Sequence, residues 1–246
     1  MDLGLNGRTA IVCGASSGMG LAVAETLTLE GANVAMFARR RDLLQREAER
    51  LGALAIRGDL TNPKHLESLV EQTVAAFGAL DILVLNGGGP PAGSAATLAA
   101  EQVEAAVELL LLPHVRLVAL ALPHLRTSGR GRIVAIESTS VKEPLDDLAL
   151  SNAVRPGVVG WLRTLAREVG RDGITVNTVA PGRIDTDRLR SLTPGGHSAA
   201  DLESVALRRI GTPAEIAAVV SFLASDRASY VTGTVLAVDG GFLRSD

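Results

Sequence analysis

The sequence predicts a doubly wound α/β fold, a parallel sheet with helices on both faces. Apolar strand-like runs alternate with longer helical patterns along the whole chain. The runs at 82–86 and 132–137 are apolar without alternation, which is typical of parallel strands buried on both faces. Glycines separate the first run from the first helical pattern, and the length of 246 residues suits one domain of this class.

The first strand, turn and helix are predicted by the segment RTAIVCGASSGMG at 8–20. Its apolar run ends in Gly14, Gly18 and Gly20, and an amphipathic segment follows at 21–30. Glycines allow the backbone to approach a bound group closely, and the first-turn amides of a helix attract phosphate. The segment therefore predicts a dinucleotide held at the N-terminus of the first helix.

The later elements follow from the same alternation of apolar runs and helical periodicity. Including the first, the expected strands are 8–13, 33–37, 53–58, 81–86, 131–137, 173–179 and 234–238. The expected helices are 18–30, 41–51, 63–77, 98–126, 150–170 and 213–224. Proline removes a helix hydrogen bond, so Pro156 should kink its helix or delay its start, and Pro113 should disturb the long fourth helix.

One long irregular stretch runs from Pro181 to about Thr212. A loop of this length in a compact domain is more often functional than accidental, and it follows the carboxyl end of a strand, where open α/β sheets bind ligands. We interpret 183–212 as a substrate lid within a single domain of residues 1–246. A surface insertion is the alternative.

Composition excludes several classes of function. The net charge of −3 gives no indication of a nucleic acid or an anionic membrane as partner, and aromatic residues at 2% are too few for base-stacking platforms. No apolar run approaches the ~20 residues of a membrane span, and residues 1–10 lack the features of a signal peptide. The single cysteine, Cys13, is expected in the core. We expect a cytoplasmic protein with a small-molecule substrate and no catalytic metal.

Further motifs occur in a fixed order after the glycine turn. They are GDLT around Asp59, LNGGG from Leu85, IEST around Ser138, VNTVAPGRIDT at 176–186 and PAEIAAVVSFLASDRASYVTGTVLAVDGG at 213–241. Together they closely resemble the short-chain dehydrogenase/reductase family, including its acyl-carrier-protein ketoreductase relatives. The resemblance covers nearly the whole chain. It implies a single Rossmann-like domain with a seven-stranded parallel sheet, a nicotinamide dinucleotide, and a homotetramer or homodimer.

The resemblance also implies cofactor-binding roles. Gly14, Gly18 and Gly20 match the phosphate-binding turn, with the Ser16 and Ser17 hydroxyls nearby. The remaining matches are Asp59 and Leu60 at the adenine, Asn86, Gly87 and Gly88 beside the adenine ribose, and Pro181, Gly182, Ile184 and Thr186 at the nicotinamide amide. The family usually has Asn-Asn-Ala-Gly where this chain has LNGGG, a change that should loosen the turn.

The choice of dinucleotide depends on charge at the end of the second strand. NAD-preferring relatives place Asp there, where this chain has Ala38, followed by Arg39, Arg40 and Arg41. Arginine binds a phosphate through two parallel hydrogen bonds. We therefore predict NADP(H) over NAD(H). The alternative is that these arginines form a solvated helix start.

Most of the family's catalytic residues are replaced in this chain. The resemblance implies a Ser, a Tyr thirteen residues later, a Lys four further on, and an Asn on an earlier helix. This chain has Ser138, Ser151 and Arg155, with Leu110 near the Asn position. Serine is a far weaker acid than a phenol, and Arg155 stays charged. Ser151 and Arg155 are expected to share one helix face and, with Ser138, to form the catalytic set.

Other residues could donate the proton. The candidates are Glu137, Lys142, Glu143, Asp146, Asp147, His114 and His124. A charge run is usually solvated, and a helix histidine is usually structural. The leading hypothesis is an NADP(H)-dependent oxidoreductase for a carbonyl/alcohol pair. The alternatives are a catalytically silent dinucleotide-binding homologue, such as a sensor or partner subunit, and a reaction without hydride transfer.

Overall fold

The computed structural model describes residues 2–193, 196 and 202–244. Within them, seven strands form one sheet in the order β3-β2-β1-β4-β5-β6-β7, and every pairing is parallel. The strands are β1 Thr9–Cys13, β2 Asn33–Ala38, β3 Leu54–Arg57, β4 Ile82–Asn86, β5 Arg132–Ile136, β6 Thr175–Pro181 and β7 Val235–Val238. The predicted doubly wound α/β fold is confirmed, and the strand order reverses between β1 and β4.

The helices agree with the predicted pattern except in two places. They are α1 Gly18–Leu29, α2 Arg41–Leu51, α3 Pro63–Phe77, α4 Ala100–Leu110, α5 Leu112–Ser128, α6 Ala149–Val169, α7 Asp187–Leu192 and α8 Pro213–Ala224. The predicted helix 98–126 is divided into α4 and α5. The short helix α7 lies inside the stretch that we expected to be irregular.

The sheet separates two apolar layers. Side chains alternate along β1, so Ile11 and Cys13 face the layer of α3, α4, α5 and α6, while Ala10 and Val12 face the layer of α1, α2 and α8. Both layers are fully buried along β1, which explains why the strand is apolar without alternation. Burial raises the pKa of the Cys13 thiol to about 12, as expected for a cysteine of the core.

Several helix starts are encoded locally. The Asn62 side chain accepts a hydrogen bond from the Lys64 N–H at 3.0 Å, immediately before α3. Thr212 and Glu215 form a reciprocal capping box at the start of α8, in which the Glu215 carboxylate accepts from the Thr212 N–H at 2.7 Å. Both helices have a proline in the first turn, where a missing N–H is harmless.

The two prolines expected to disturb helices behave differently. The predicted long helix is interrupted at Leu111, and Pro113 lies in the first turn of α5, as predicted. The expected delay of the helix start at Pro156 does not occur, because α6 begins before it at Ala149 and continues through it. Proline removes one backbone hydrogen bond, whereas α6 buries a whole apolar face that includes Val154 and Val158, so packing outweighs the local loss.

Among the described residues, one helical segment is long and apolar enough to cross a membrane, Ala100–Ser128, which comprises α4 and α5. This differs from the expectation that no apolar run approaches the length of a membrane span. In the structure α4 packs against α6 and α5 against α3, and 39% of the most apolar part of the segment is buried. Leu110, Leu117 and Leu125 are buried in the core. These apolar side chains cover one face of the sheet.

The side chain of a buried arginine, Arg8, connects three elements through hydrogen bonds. Arg8 is fully buried, and its guanidinium donates to the carbonyl of Ala224 at 3.1 Å and to that of Arg130 at 2.6 Å. It also forms a 3.2 Å ion pair with Asp226, whose side chain is 47% exposed. Burial lowers the pKa of Arg8 to about 10. The start of β1, the approach to β5 and the end of α8 therefore share one hydrogen-bonding group.

We expect Arg8→Ala to lower the free energy of unfolding by about 3 kcal/mol, because it removes the Arg8 donor from the buried Ala224 carbonyl and opens a cavity. The matched variant Asp226→Asn should lower it by less than about 1 kcal/mol, because the lost ion pair is half-exposed. Urea unfolding monitored by circular dichroism measures both. Equal losses would mean that the ion pair, and not the carbonyl contacts, stabilises this junction.

Candidate active site

The glycine turn lies at the carboxyl end of β1, where the strand order reverses. Gly14 and Gly18 have φ of 61° and 57°, in the left-handed region. A Cβ on Gly20 would lie 2.3 Å from the Gly14 carbonyl oxygen, so α1 approaches the strand too closely for a side chain. The Ser17 side chain makes no capping hydrogen bond, which leaves the first-turn amides of α1 available to an anion.

Asn86 closes the other side of the turn. It is buried at the end of β4, and its amide donates to the Cys13 carbonyl at 3.1 Å. A Cβ on Gly14 would come within 2.7 Å of that amide nitrogen. Asn86 and the glycines therefore form one close contact between β1, α1 and β4.

Two arginines follow β2 and face this turn. The Arg40 guanidinium donates to the Ser16 hydroxyl at 3.3 Å and also to the Ser17 hydroxyl. Hydrogen bonds from the Thr61 N–H and hydroxyl lower the pKa of Asp59, and the nearby charge of Arg39 contributes. Arg39 and Arg40 thus place positive charge between the serines of the turn and the end of β3.

The remaining sequence-predicted binding residues surround the same crevice. Leu60 is close to the segment after β4, because a Cβ on Gly87 would lie 3.9 Å from its Cδ1. Thr186 lies over the turn, with its Cγ2 3.3 Å from an ideal Cβ on Gly18. Pro181 ends β6, Gly182 packs against Asp239, and Ile184 is buried. A cavity of about 410 Å³ lies beside the turn, between α1, α2 and α7, and its lining includes Ser17, Thr186 and Glu47.

Ser138 and Ser140, which follow β5, form a cluster with Ser151 of α6. The Ser138 hydroxyl accepts a hydrogen bond from the Ser140 N–H at 3.1 Å. The Ser140 and Ser151 hydroxyls are 2.9 Å apart, and both residues are buried. The structure therefore brings Ser138 and Ser151 together through Ser140, which the sequence analysis did not single out. Its position in the STS run at 138–140 was the available signal.

Arg155 forms a buried ion pair. Its Nη1 donates to Glu137 Oε2 at 2.7 Å, and its Nη2 donates to the Gly88 carbonyl at 3.3 Å. The Glu137 side chain is fully buried, and burial raises its pKa, while the charge of Arg155 opposes that rise. Glu137 was a candidate proton donor in the sequence. In the structure it is the counter-ion that holds Arg155 at the end of β4.

His114 lies behind this ion pair. Its Nδ1 is 3.6 Å from Glu137 Oε1, and neither atom has a hydrogen-bond partner among the described residues. Burial lowers the pKa of His114 to about 3, and the charge of Arg155 contributes to the decrease. His114 is therefore neutral at ordinary pH. Leu110, one turn earlier at the end of α4, is buried and apolar.

The other charged candidates do not gather around the serines. Asp146 and Asp147 are exposed, and the Glu143 carboxylate accepts from the Arg244 N–H at 3.0 Å. Lys142 and His124 are partly exposed. No group of three or more His, Cys, Asp or Glu that could hold a metal occurs in residues 2–193, 196 and 202–244.

The arginines of the expected lid have different environments. Arg190 pairs with Asp185 and Asp187, and Arg183 lies 5.7 Å from the centre of the Phe242 ring. Arg188 donates to the Pro90 carbonyl, across the crevice from α7. Residues 194–195 and 197–201 of the proposed lid lie outside the described residues.

Comparison with known proteins identifies similar reductases. A family model described as enoyl-(acyl carrier protein) reductase matches residues 14–243. The chain is 37% identical over 241 residues to the 3-oxoacyl-[acyl-carrier-protein] reductase FabG of Escherichia coli, covering 97% of this chain and 98% of that protein. It is 33% identical over 234 residues to the reductase MabA of Mycobacterium bovis, covering 95% and 92%.

A solved structure is also similar over the full length. It is L-sorbose reductase from Gluconobacter frateurii, complexed with NADPH and L-sorbose. The TM-score is 0.92 at 34% sequence identity, and the match covers 100% of both chains.

The environment of His114 predicts a pH dependence of stability. Its pKa is about 3 in the folded protein and about 6.5 in an unfolded chain. The unfolded chain therefore binds an extra proton between these values, so the stability present above about pH 6.5 is lost as the pH falls. The extra loss approaches about 1.4 kcal/mol per pH unit. His114→Gln should reduce this slope, as measured by urea unfolding between about pH 6.5 and pH 5.

The control is His124→Gln, which changes a partly exposed histidine of the same helix and should keep the wild-type slope. Identical slopes for the wild type and His114→Gln would show that His114 does not contribute.

Proposed function

The chain belongs to the short-chain dehydrogenase/reductase family, and from this premise we propose that it is an NADP(H)-dependent oxidoreductase acting on a carbonyl/alcohol pair through an atypical active site. The glycine turn carries the proposal. Gly14 and Gly20 allow α1 to pack closely against the ends of β1 and β4, and the Ser17 side chain does not cap the first-turn amides of α1. These amides can therefore bind a dinucleotide diphosphate. When bound, the nicotinamide supplies or accepts the hydride.

The preference for NADP(H) is supported by charge. Arg40 bridges the Ser16 and Ser17 hydroxyls, Arg39 lies near Asp59, and Ala38 stands where an acidic residue would favour NAD. A guanidinium here can bind a ribose phosphate through two hydrogen bonds. The similar L-sorbose reductase was solved with NADPH. We propose as cofactor-binding residues Gly14, Ser16, Ser17, Gly18, Gly20, Arg39, Arg40, Asp59, Leu60, Asn86, Gly87, Gly88, Arg155, Pro181, Gly182, Ile184 and Thr186.

The proposed chemistry uses Ser138, Ser151 and Arg155. Ser138 is the most accessible hydroxyl of the serine cluster and orients the substrate oxygen. Ser151 shares a hydroxyl–hydroxyl hydrogen bond with Ser140, whereas Ser140 reaches Ser138 through its backbone N–H, so a water held by Ser151 would complete the proton relay. Arg155, fixed by Glu137 and the Gly88 carbonyl, holds the cofactor ribose. An aliphatic hydroxyl is a weaker acid than a phenol, so we expect turnover about 10²–10⁴-fold slower than with a phenolic acid.

A catalytically silent homologue is the second candidate, and one observation favours it. The Ser151 hydroxyl is buried and already hydrogen-bonded to Ser140, so it does not itself face a substrate. In that case the site would bind the dinucleotide as a sensor or as part of a complex.

We further propose a cytoplasmic homotetramer or homodimer that acts on a small molecule. Exposed apolar side chains near the C-terminus, Phe222, Tyr230 and Leu236, support association between copies.

Cofactor selectivity tests the role of Arg40. Arg40→Ala should weaken NADPH binding about 10- to 100-fold by removing a charge-assisted contact to the ribose phosphate, with little change for NADH. Arg163→Ala removes an exposed arginine of α6 and is the matched control. Fluorescence titration with both nucleotides measures the effect. If the affinity for NADPH and NADH falls equally, Arg40 does not discriminate the phosphate.

Turnover tests the catalytic proposal. Wild-type protein should oxidise NADPH with at least one member of a panel of ketones, quinones and acyl thioesters. Ser138→Ala should lower kcat about 100-fold or more, with NADPH binding unchanged, because the carbonyl loses its orienting hydroxyl. Exposed Ser229→Ala is the control. NADPH binding without turnover across the panel would instead favour the silent homologue.

A further inference from the structure

We infer that the substrate carries a carboxylate and that Arg188 binds it, an inference that rests on the proposed function. Arg188 extends from α7 to the segment after β4, where it donates to the Pro90 carbonyl. A Cβ on Gly89 would lie 2.8 Å from Arg188 Nε and 2.9 Å from Nη2, so the guanidinium lies directly against the glycine. The residue as a whole is exposed.

This contact places two guanidinium groups side by side. Arg155 donates to the Gly88 carbonyl and Arg188 to the Pro90 carbonyl, two residues further along the same segment. Partial burial lowers the pKa of Arg188, and the charge of Arg155 lowers it further. The two positive charges are therefore close enough to repel each other.

Of these two arginines, only Arg155 is paired with a carboxylate among the described residues. Arg155 is paired with Glu137, and His114 behind it is neutral. The acidic residues flanking Arg188 on its own segment, Asp185 and Asp187, are both engaged by Arg190. No ion pair joins Arg188 to a carboxylate among the described residues, so its positive charge is uncompensated at this end of the crevice, while Arg39 and Arg40 lie at the glycine turn.

The guanidinium of Arg188 indicates the charge and shape of the group that can bind it. It has five N–H donors, and the Pro90 carbonyl uses one of its nitrogens, so a planar two-oxygen anion can bind the rest. A carboxylate carries one negative charge and matches the excess. A phosphate monoester carries nearly two and would need a second free cation, which Arg155 cannot supply while Glu137 neutralises it. The substrate class is therefore an oxo acid or the corresponding hydroxy acid.

The same geometry explains the third glycine of LNGGG. Only glycine at position 89 leaves room for the Arg188 guanidinium. Gly89→Ala should displace this flexible side chain without removing its charge, and it provides a second variant with an independent mechanism.

The experiment titrates the wild-type NADPH complex with 2-oxo and 3-oxo carboxylic acids, with their methyl esters of equal chain length, and with inorganic phosphate. Change in NADPH fluorescence reports binding even without turnover, and KM is measured where turnover occurs. We expect at least one acid to bind about 10- to 100-fold more tightly than its ester. Arg188→Gln and Gly89→Ala should each remove most of this preference while leaving NADPH and ester affinity unchanged. Arg163→Gln should preserve it.

Each contrary outcome is distinct. Failure of NADPH to bind the wild-type protein would overturn the proposed function, and the inference with it. Normal NADPH binding with equal affinity for acids and esters would overturn the inference alone, as would an acid preference that survives Arg188→Gln. Tighter binding of phosphate than of any carboxylate would overturn the assignment of the carboxylate.

Discussion

The hydrogen bond from Asn86 to the Cys13 carbonyl joins β4 to β1 at the point where the strand order reverses. That contact requires a glycine at position 14, and the next turn requires Gly20 because α1 passes within van der Waals range of the strand. The crevice, the exposed first-turn amides of α1 and the position of the segment after β4 all depend on this close approach. A larger side chain at either glycine would separate the elements that form the site.

The buried ion pair between Arg155 and Glu137 determines how the proposed catalytic residues are arranged. A guanidinium in a buried position needs a counter-ion, and Glu137 provides it from the strand end next to Ser138. The pair therefore fixes Arg155 more rigidly than a solvent-exposed cation would be fixed. Because both partners are committed to each other, neither is well suited to donate a proton, which leaves the hydroxyl cluster as the proposed route.

The segment after β4 connects α7 to the rest of the site. The resemblance placed Gly87 and Gly88 beside the adenine ribose and predicted a looser turn. In the structure the carbonyls of Gly88 and Pro90 also accept hydrogen bonds from two arginines of different helices, and Gly89 provides the space for one of them. The position of α7 relative to the sheet is thereby linked to charge in the crevice, which supports the proposed role of Arg188 in recognising the substrate.

The sequence by itself determined the sheet, the order of the helices and the glycine turn, because apolar periodicity, capping residues and tight turns are local properties. It also indicated Arg39, Arg40, Ser138, Ser151 and Arg155. Only the tertiary structure decided that α6 continues through Pro156, because that outcome depends on packing across the core. It likewise decided that Glu137 neutralises Arg155, and that Arg190, but not Arg188, is paired with a carboxylate among the described residues. Glu137 lies 18 residues from Arg155 and Pro90 lies 98 residues from Arg188, so the sequence pattern alone does not show which neighbours in space balance each charge.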